Sequence, residues 1–131
     1  MIKQLFTVEN YWEVVVIYDV DYNLFGMAER EMRMLGMSQK DVGTVKEMLE
    51  SGNTKAVTCS SVKRHKSVVL FNCHEDKVDY LNSIVHEAEH IKQAMLEAYD
   101  VEDEGEAPAY TIGYLVGRMW EVCRTLVCKE C

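Results

Sequence analysis

The spacing of apolar residues divides the chain into alternating strand-like and helix-like stretches. Residues 12–19, Trp-Glu-Val-Val-Val-Ile-Tyr-Asp, are β-branched and aromatic and predict a strand. Val20 to Asn23 reads as a turn. From about Leu24 to Leu35 the residues are helix formers, Met27, Met32, Met34 and Leu35 among the apolar ones, and Gly36 stands where such a helix would end. A second helix opens with Ser38 as N-cap and Asp41 three residues on, a variant of the capping box. Val42, Val45, Met48 and Leu49 recur along it at helical spacing, and Gly52-Asn53 stops it. Residues 55–61 and 67–72 predict two short strands joined as a hairpin, with Lys63-Arg64-His65-Lys66 at its tip.

A long helix is expected over residues 76–99, its start capped from within Asn72 to Glu75. Val78, Leu81, Val85, Ala88, Ile91 and Met95 form its apolar series. Placed at 100° per residue, the stripe centres near Leu81, Val85, Ala88 and Met95. The acidic run from Asp100 to Gly105 reads as a solvated connection; it lacks the alternating ligands and terminal Glu of a calcium loop. The last helix is expected from Glu106–Pro108 to about Cys128, with Pro108 in its first turn, where a missing N–H does no harm. Ile112, Val116, Met119, Trp120, Cys123 and Val127 would form its buried side. Gly113 and Gly117 share a side with Glu106 and Ala109, a line of small residues that would let another helix come close.

Composition narrows the class. Apolar residues make up 48% of a chain of 131, enough for one core, whereas two domains would each be too small to hold without staples. A single domain over residues 1–131 is therefore expected. The formal charge of −8 excludes an ordinary nucleic-acid binder, which meets phosphate with a positive surface. The first residues, Met1 to Phe6, hold no apolar run long enough for a signal peptide, and no stretch has the length of a membrane span. The expectation is a cytoplasmic protein without a membrane partner. Five scattered cysteines then read as free thiols rather than a disulfide frame. Cys128-x-x-Cys131 could bind metal or act in redox but has no second pair, and Cys73-His74 is a lone pair of potential ligands.

The candidate chemistry lies in the long helix, at His86-Glu87-Ala88-Glu89-His90, which fits H-E-x-x-H. Histidines at i and i+4 stack on one helical face and can grip one Zn²⁺ from the same side. Glu87 projects at a different angle, where it can take a proton from a metal-bound water. The histidines fall away from the apolar stripe, beside Asp79, Gln93 and Glu97. They therefore face a cleft or plain solvent, and ordinary surface histidines remain the competing reading. A catalytic zinc site wants a third protein ligand. Glu106 is the candidate, at the start of a helix whose glycines invite packing on the motif helix; Glu102, Asp103 and Glu104 are its competitors in the looser loop.

His86-Glu87-x-x-His90, followed by Glu106-Ala-Pro-Ala-Tyr110 and Thr-Ile-Gly113-Tyr-Leu, resembles the zincin metallopeptidases of the gluzincin type. The small intracellular minigluzincins and the ImmA/IrrE-like peptidases of phages and mobile elements are most similar in size and order. The resemblance spans about residues 55 to 128. It implies His86, His90 and Glu106 as zinc ligands, Glu87 as general base, and a peptide or protein substrate. It also implies an edge strand at Ser67 to Phe71 that pairs with the substrate backbone, and an oxyanion donor at Tyr110 or Tyr114. The implied fold is α+β, a small, mostly antiparallel sheet of about three strands packed on the motif helix and a C-terminal glutamate helix. Two other readings compete. A zinc site could staple the two helices of a regulatory or interaction domain with no catalysis. Without metal, the chain would be an acidic α+β interaction protein. The oligomeric state is left open.

Overall fold

The computed structural model describes residues 1–126. The chain is α+β: a four-stranded mixed sheet of order β1-β2-β4-β3 lies between two pairs of helices. The strands are β1 (Ile2–Val8), β2 (Trp12–Tyr18), β3 (Ala56–Ser61) and β4 (Lys66–Phe71). The helices are α1 (Gly26–Met34), α2 (Gln39–Glu50), α3 (Lys77–Tyr99) and α4 (Glu106–Leu126), with a short 3₁₀ turn at Tyr22–Leu24. No helix among the described residues is long and apolar enough to cross a membrane.

The pairing follows from burial. β2 and β4 are the central strands and lie parallel, Val15 opposite Val68 and Val16 opposite Val69. Val14, Val16, Tyr18, Val69 and Phe71 point toward α3 and α4. Val15, Ile17, Val68 and Leu70 point toward α1 and α2. A strand covered on both faces needs apolar residues at every position, which is why β2 and β4 read as continuous runs rather than alternations.

The sheet has four strands where the sequence suggested about three. The additional one is β1, antiparallel to β2 from Ile2↔Tyr18 to Val8↔Trp12. Only Phe6 and Val8 of β1 are buried, while Ile2 and Leu5 are exposed, so its alternation is faint in sequence. A turn with Glu9 and Asn10 in the left-handed region joins β1 to β2. The expected hairpin forms as β3–β4, and the basic run sits at its tip, where Arg64 N–H donates to Ser61 Oγ at 3.1 Å. The edge on this side is β3. Ser67 to Phe71, expected as the edge, is interior because its two-sided apolar run is wanted between neighbours.

The helices start and stop largely where their caps dictate. Ser38 Oγ accepts from Asp41 N–H at 3.1 Å, and Val42, Val45 and Leu49 bury below it, while Met48 stays exposed. Asp76, one residue past the expected caps, opens α3 by accepting from Asp79 N–H at 2.8 Å. Asp100, in the left-handed region, closes α3. The buried face of α3 is Tyr80, Ile84, Glu87, Ala88, Ile91, Lys92 and Met95, so the helix is rotated from the expected stripe. Val78, Leu81 and Val85 are exposed, Val78 at 70%. Tyr80 drives this rotation: its ring reaches the layer of Tyr18 and Phe71, and its hydroxyl donates to Asp19 at 3.1 Å. α4 buries Leu115, Met119 and Cys123, with Ile112, Val116 and Trp120 packed at the margin. Gly113 and Gly117 are exposed, and a Cβ on either would meet open space, so among the described residues no helix packs on their side. Val127 and Cys128-x-x-Cys131 lie outside the described residues.

Candidate metal centre

α3 carries His86 and His90 one turn apart on its exposed side. Their rings stand edge to face, with centroids 4.9 Å apart and an interplanar angle of 73°. The two Nε2 atoms are 3.2 Å apart. Two nitrogens at about 2.05 Å from one tetrahedral Zn²⁺ are separated by roughly 3.3 Å. The observed 3.2 Å is a hydrogen-bond distance between the two rings and is also close to that span.

Glu87 occupies a different environment. It is only 4% exposed and turns toward the sheet, where the Thr58 hydroxyl donates to its Oε1 at 2.9 Å. Thr58 lies in β3, the strand that runs beside this face of α3. Burial, with Glu87 and Asp41 as nearby negative charges, pushes the neighbouring Cys59 thiol up to about 11. Cys59 is therefore a protonated, unreactive neighbour. Cys59, Cys73 and Cys123 are all free thiols, as composition suggested.

Between β3 and α3 runs a groove of about 400 Å³ lined by Ala56, Ser83, His86 and Glu87. It continues past Thr54, Lys55, Asp79 and Asn82 into a larger open cleft of about 810 Å³ at the start of α3. Lys55 Nζ and Asp79 Oδ1, 2.6 Å apart, bridge the two walls where groove and cleft meet. His74 closes the cleft floor. Its Nδ1–H donates to the Asn72 carbonyl at 2.6 Å, its Nε2 accepts from the Ser83 hydroxyl at 2.7 Å, and its ring stacks on Tyr80. Burial holds this imidazole below its ordinary range. The lone Cys73-His74 pair thus contributes a structural histidine beside an exposed thiol.

Glu106 and Tyr110 are exposed in the first turns of α4, Tyr110 at 76%, and with Ala109, Gly113 and Tyr114 they line a separate surface groove. Tyr114 instead donates its hydroxyl to the Thr7 carbonyl at 3.0 Å. Among the described residues no group of three or more His, Cys, Asp or Glu side chains is arranged to hold a metal. The structure therefore assembles the two imidazoles beside Glu87 and does not assemble Glu106 with them.

The α3–α4 connection shows a feature the sequence reading passed over. Lys92, 6% exposed, lies at the margin of the buried face and reaches Asp103 Oδ2 and Glu89 Oε1, each at 2.9 Å. Gln93 also donates to Asp103, at 2.8 Å. The hydrogen bond from Lys92 holds the Asp103 carboxyl below its usual range, and the same contacts raise Lys92. Asp103, one of the competitors for a ligand role, is thus engaged in clamping the loop to α3 one turn beyond His90. A lysine between Ile91 and Met95 was the available signal, since a buried lysine needs carboxylate partners. Thr58 had no comparable signal, because nothing in the sequence aligns β3 with α3. The chain matches no family model, no curated protein and no solved structure.

Proposed function

We propose that this protein is a zinc-dependent metallopeptidase. The observation that carries the reading is the 3.2 Å separation of the His86 and His90 Nε2 atoms, with Glu87 lining the same groove as His86. His86 and His90 would hold the ion, and Glu106 is proposed as the third ligand on the strength of the resemblance. When bound, zinc supplies a Lewis acid for a peptide carbonyl and a water acidic enough to lose its proton near neutrality.

The chain's own residues supply the rest. Glu87 would receive the proton and return it to the leaving amine, with the Thr58 hydroxyl holding its Oε1. Tyr110 is proposed as the donor to the developing oxyanion. An extended substrate would lie along the outer edge of β3, which pairs only with β4 among the described residues. This moves the edge-strand role from Ser67–Phe71 to Ala56–Ser61.

Glu87→Gln should abolish peptide cleavage while leaving zinc bound. Cleavage at the parent rate would remove Glu87 from the mechanism. A second reading is favoured by one observation: no three-donor group forms among the described residues. On that reading the chain is a zincin-like zinc-binding regulatory or interaction domain without catalysis. It predicts zinc binding that Glu106→Gln does not weaken, and no cleavage in any variant.

A further inference from the structure

The charged lining of the groove is Lys55, Asp79 and Glu87, whereas the cleft it opens into is predominantly acidic. Glu50, Glu75, Asp76 and Asp79 border the cleft, and the Lys55 ammonium there is already bound to Asp79. Asp76 and Asp79 also answer the positive end of α3, one by capping it and the other from its first turn. Glu50 and Glu75 stand beyond that and leave the cleft negative. The wall opposite α3 is the free edge of β3, a row of backbone donors and acceptors that an extended chain can satisfy. The β3 edge itself carries no charged side chain and ends at the basic Lys63–Lys66 tip, so the attraction for a cationic side chain comes from the cleft, while the net charge of −8 disfavours a second copy of the chain.

We infer that the β3–α3 groove takes an extended, basic peptide segment, whose backbone pairs with Ala56–Ser61 and whose Lys or Arg side chain enters the cleft beside Glu50 and Glu75. Direction follows from the pairing. Antiparallel ladders are the more stable, so the peptide runs from the Ser61 end toward Lys55. Thr58 sits at Glu87 and Lys55 at Asp79, three residues apart along the chain. At about 3.3 Å per residue, this places the basic side chain about three residues after the peptide unit nearest Glu87, roughly 10 Å away. The orientation relative to a scissile bond rests on the metallopeptidase reading; the binding itself does not.

The test uses the Glu87→Gln full-length protein, so that bound peptides persist, and short blocked fluorescent peptides matched except for two Lys, two Glu or neither. Fluorescence anisotropy should show the Lys peptide binding about fivefold tighter than the neutral one at low salt, and the advantage should shrink as salt rises. Glu50→Lys with Glu75→Lys should reverse the order. Glu9→Lys with Glu29→Lys, the same charge change at exposed residues that line neither groove nor cleft, should leave it intact. Alternate N-methylation of the Lys peptide backbone should abolish binding, because the edge of β3 loses its partners. Equal binding of all three peptides, no binding, or identical effects of the two double variants would overturn the inference. Competition by a self-paired dimer of the chain would also overturn it. Parent protein that cleaves peptides without regard to basic residues would refute this inference and leave the peptidase reading standing. Groove-dependent Lys preference in a protein that neither binds zinc nor cleaves would do the reverse.

Discussion

Thr58→Val removes the hydroxyl that donates to Glu87 Oε1 at 2.9 Å, while keeping the shape of the side chain. The carboxylate stays behind, 4% exposed, with a lost donor. A hydrogen bond to an ionised group contributes about 1.5–3 kcal/mol, and access from the groove places this one at the low end, about 1.5 kcal/mol. In a chain of this length ~1 kcal/mol moves Tm by about 3–4 °C, so Tm should fall by about 5 °C. The companion variant, Glu87→Leu with Thr58→Val, takes away both partners. Stability should then return to within ~1 kcal/mol of the parent or exceed it, because a buried polar pair replaced by apolar groups of similar size is close to neutral. Thermal unfolding of metal-free protein, followed by circular dichroism, measures both. An unchanged Tm for Thr58→Val would mean the bond adds nothing. A double variant less stable than either single would make Glu87 a structural residue, and its retention would need no chemistry to explain it.

Three other outcomes are expected. Zinc at about a hundred times its dissociation constant should stabilise the parent by ~2.7 kcal/mol, raising Tm by about 10 °C, and His86→Ala or His90→Ala should erase the shift in the same scan. Burial depresses the folded-state value of His74, so the stability it confers is complete above the unfolded imidazole value of about 6.5 and is lost as pH falls toward the folded value. Denaturant titrations between about pH 7 and 5 should show that loss, and His74→Gln should flatten it; an unaltered slope would remove His74 from the acid response. Gly113→Ala and Gly117→Ala should each stabilise α4 by about 0.5–1 kcal/mol, since the added Cβ meets open space. A drop in stability by the same assay would show that something packs on that face.

What the sequence made legible was whatever depends on neighbours along the chain. Ser38 and Gly36 mark helix ends because capping is local, and the Lys63–Lys66 tip follows from the two short runs flanking it. The i, i+4 histidines needed only a helix to meet. What stayed hidden depends on which distant surface an element meets. β1 carries two buried residues and so has little pattern of its own; it is a strand because β2 offers it an edge. The apolar residues Val78, Leu81 and Val85 outlined a face of α3 that the sheet does not use, and Tyr80 and Ile84 outweigh them by reaching the aromatic layer beneath. The same rotation carries Glu87 inward to Thr58 and leaves the histidines outside. Gly113 and Gly117 suggested close helix packing, yet α4 buries Leu115, Met119 and Cys123 in the core it shares with α3 and the sheet. The resemblance put the edge role on Ser67–Phe71, and the sequence, which shows its hairpin partner β3 but not its parallel neighbour β2, held nothing to correct it.

Everything proposed here about chemistry depends on one cation held by His86 and His90. The direct measurement is elemental analysis with native mass spectrometry of tag-free protein, equilibrated with a slight excess of zinc and then desalted. The account predicts one zinc per chain for the parent and for Glu87→Gln, none for His86→Ala or His90→Ala, and a weakened share for Glu106→Gln. A parent protein that emerges without zinc, or one whose zinc survives loss of both histidines, would contradict it.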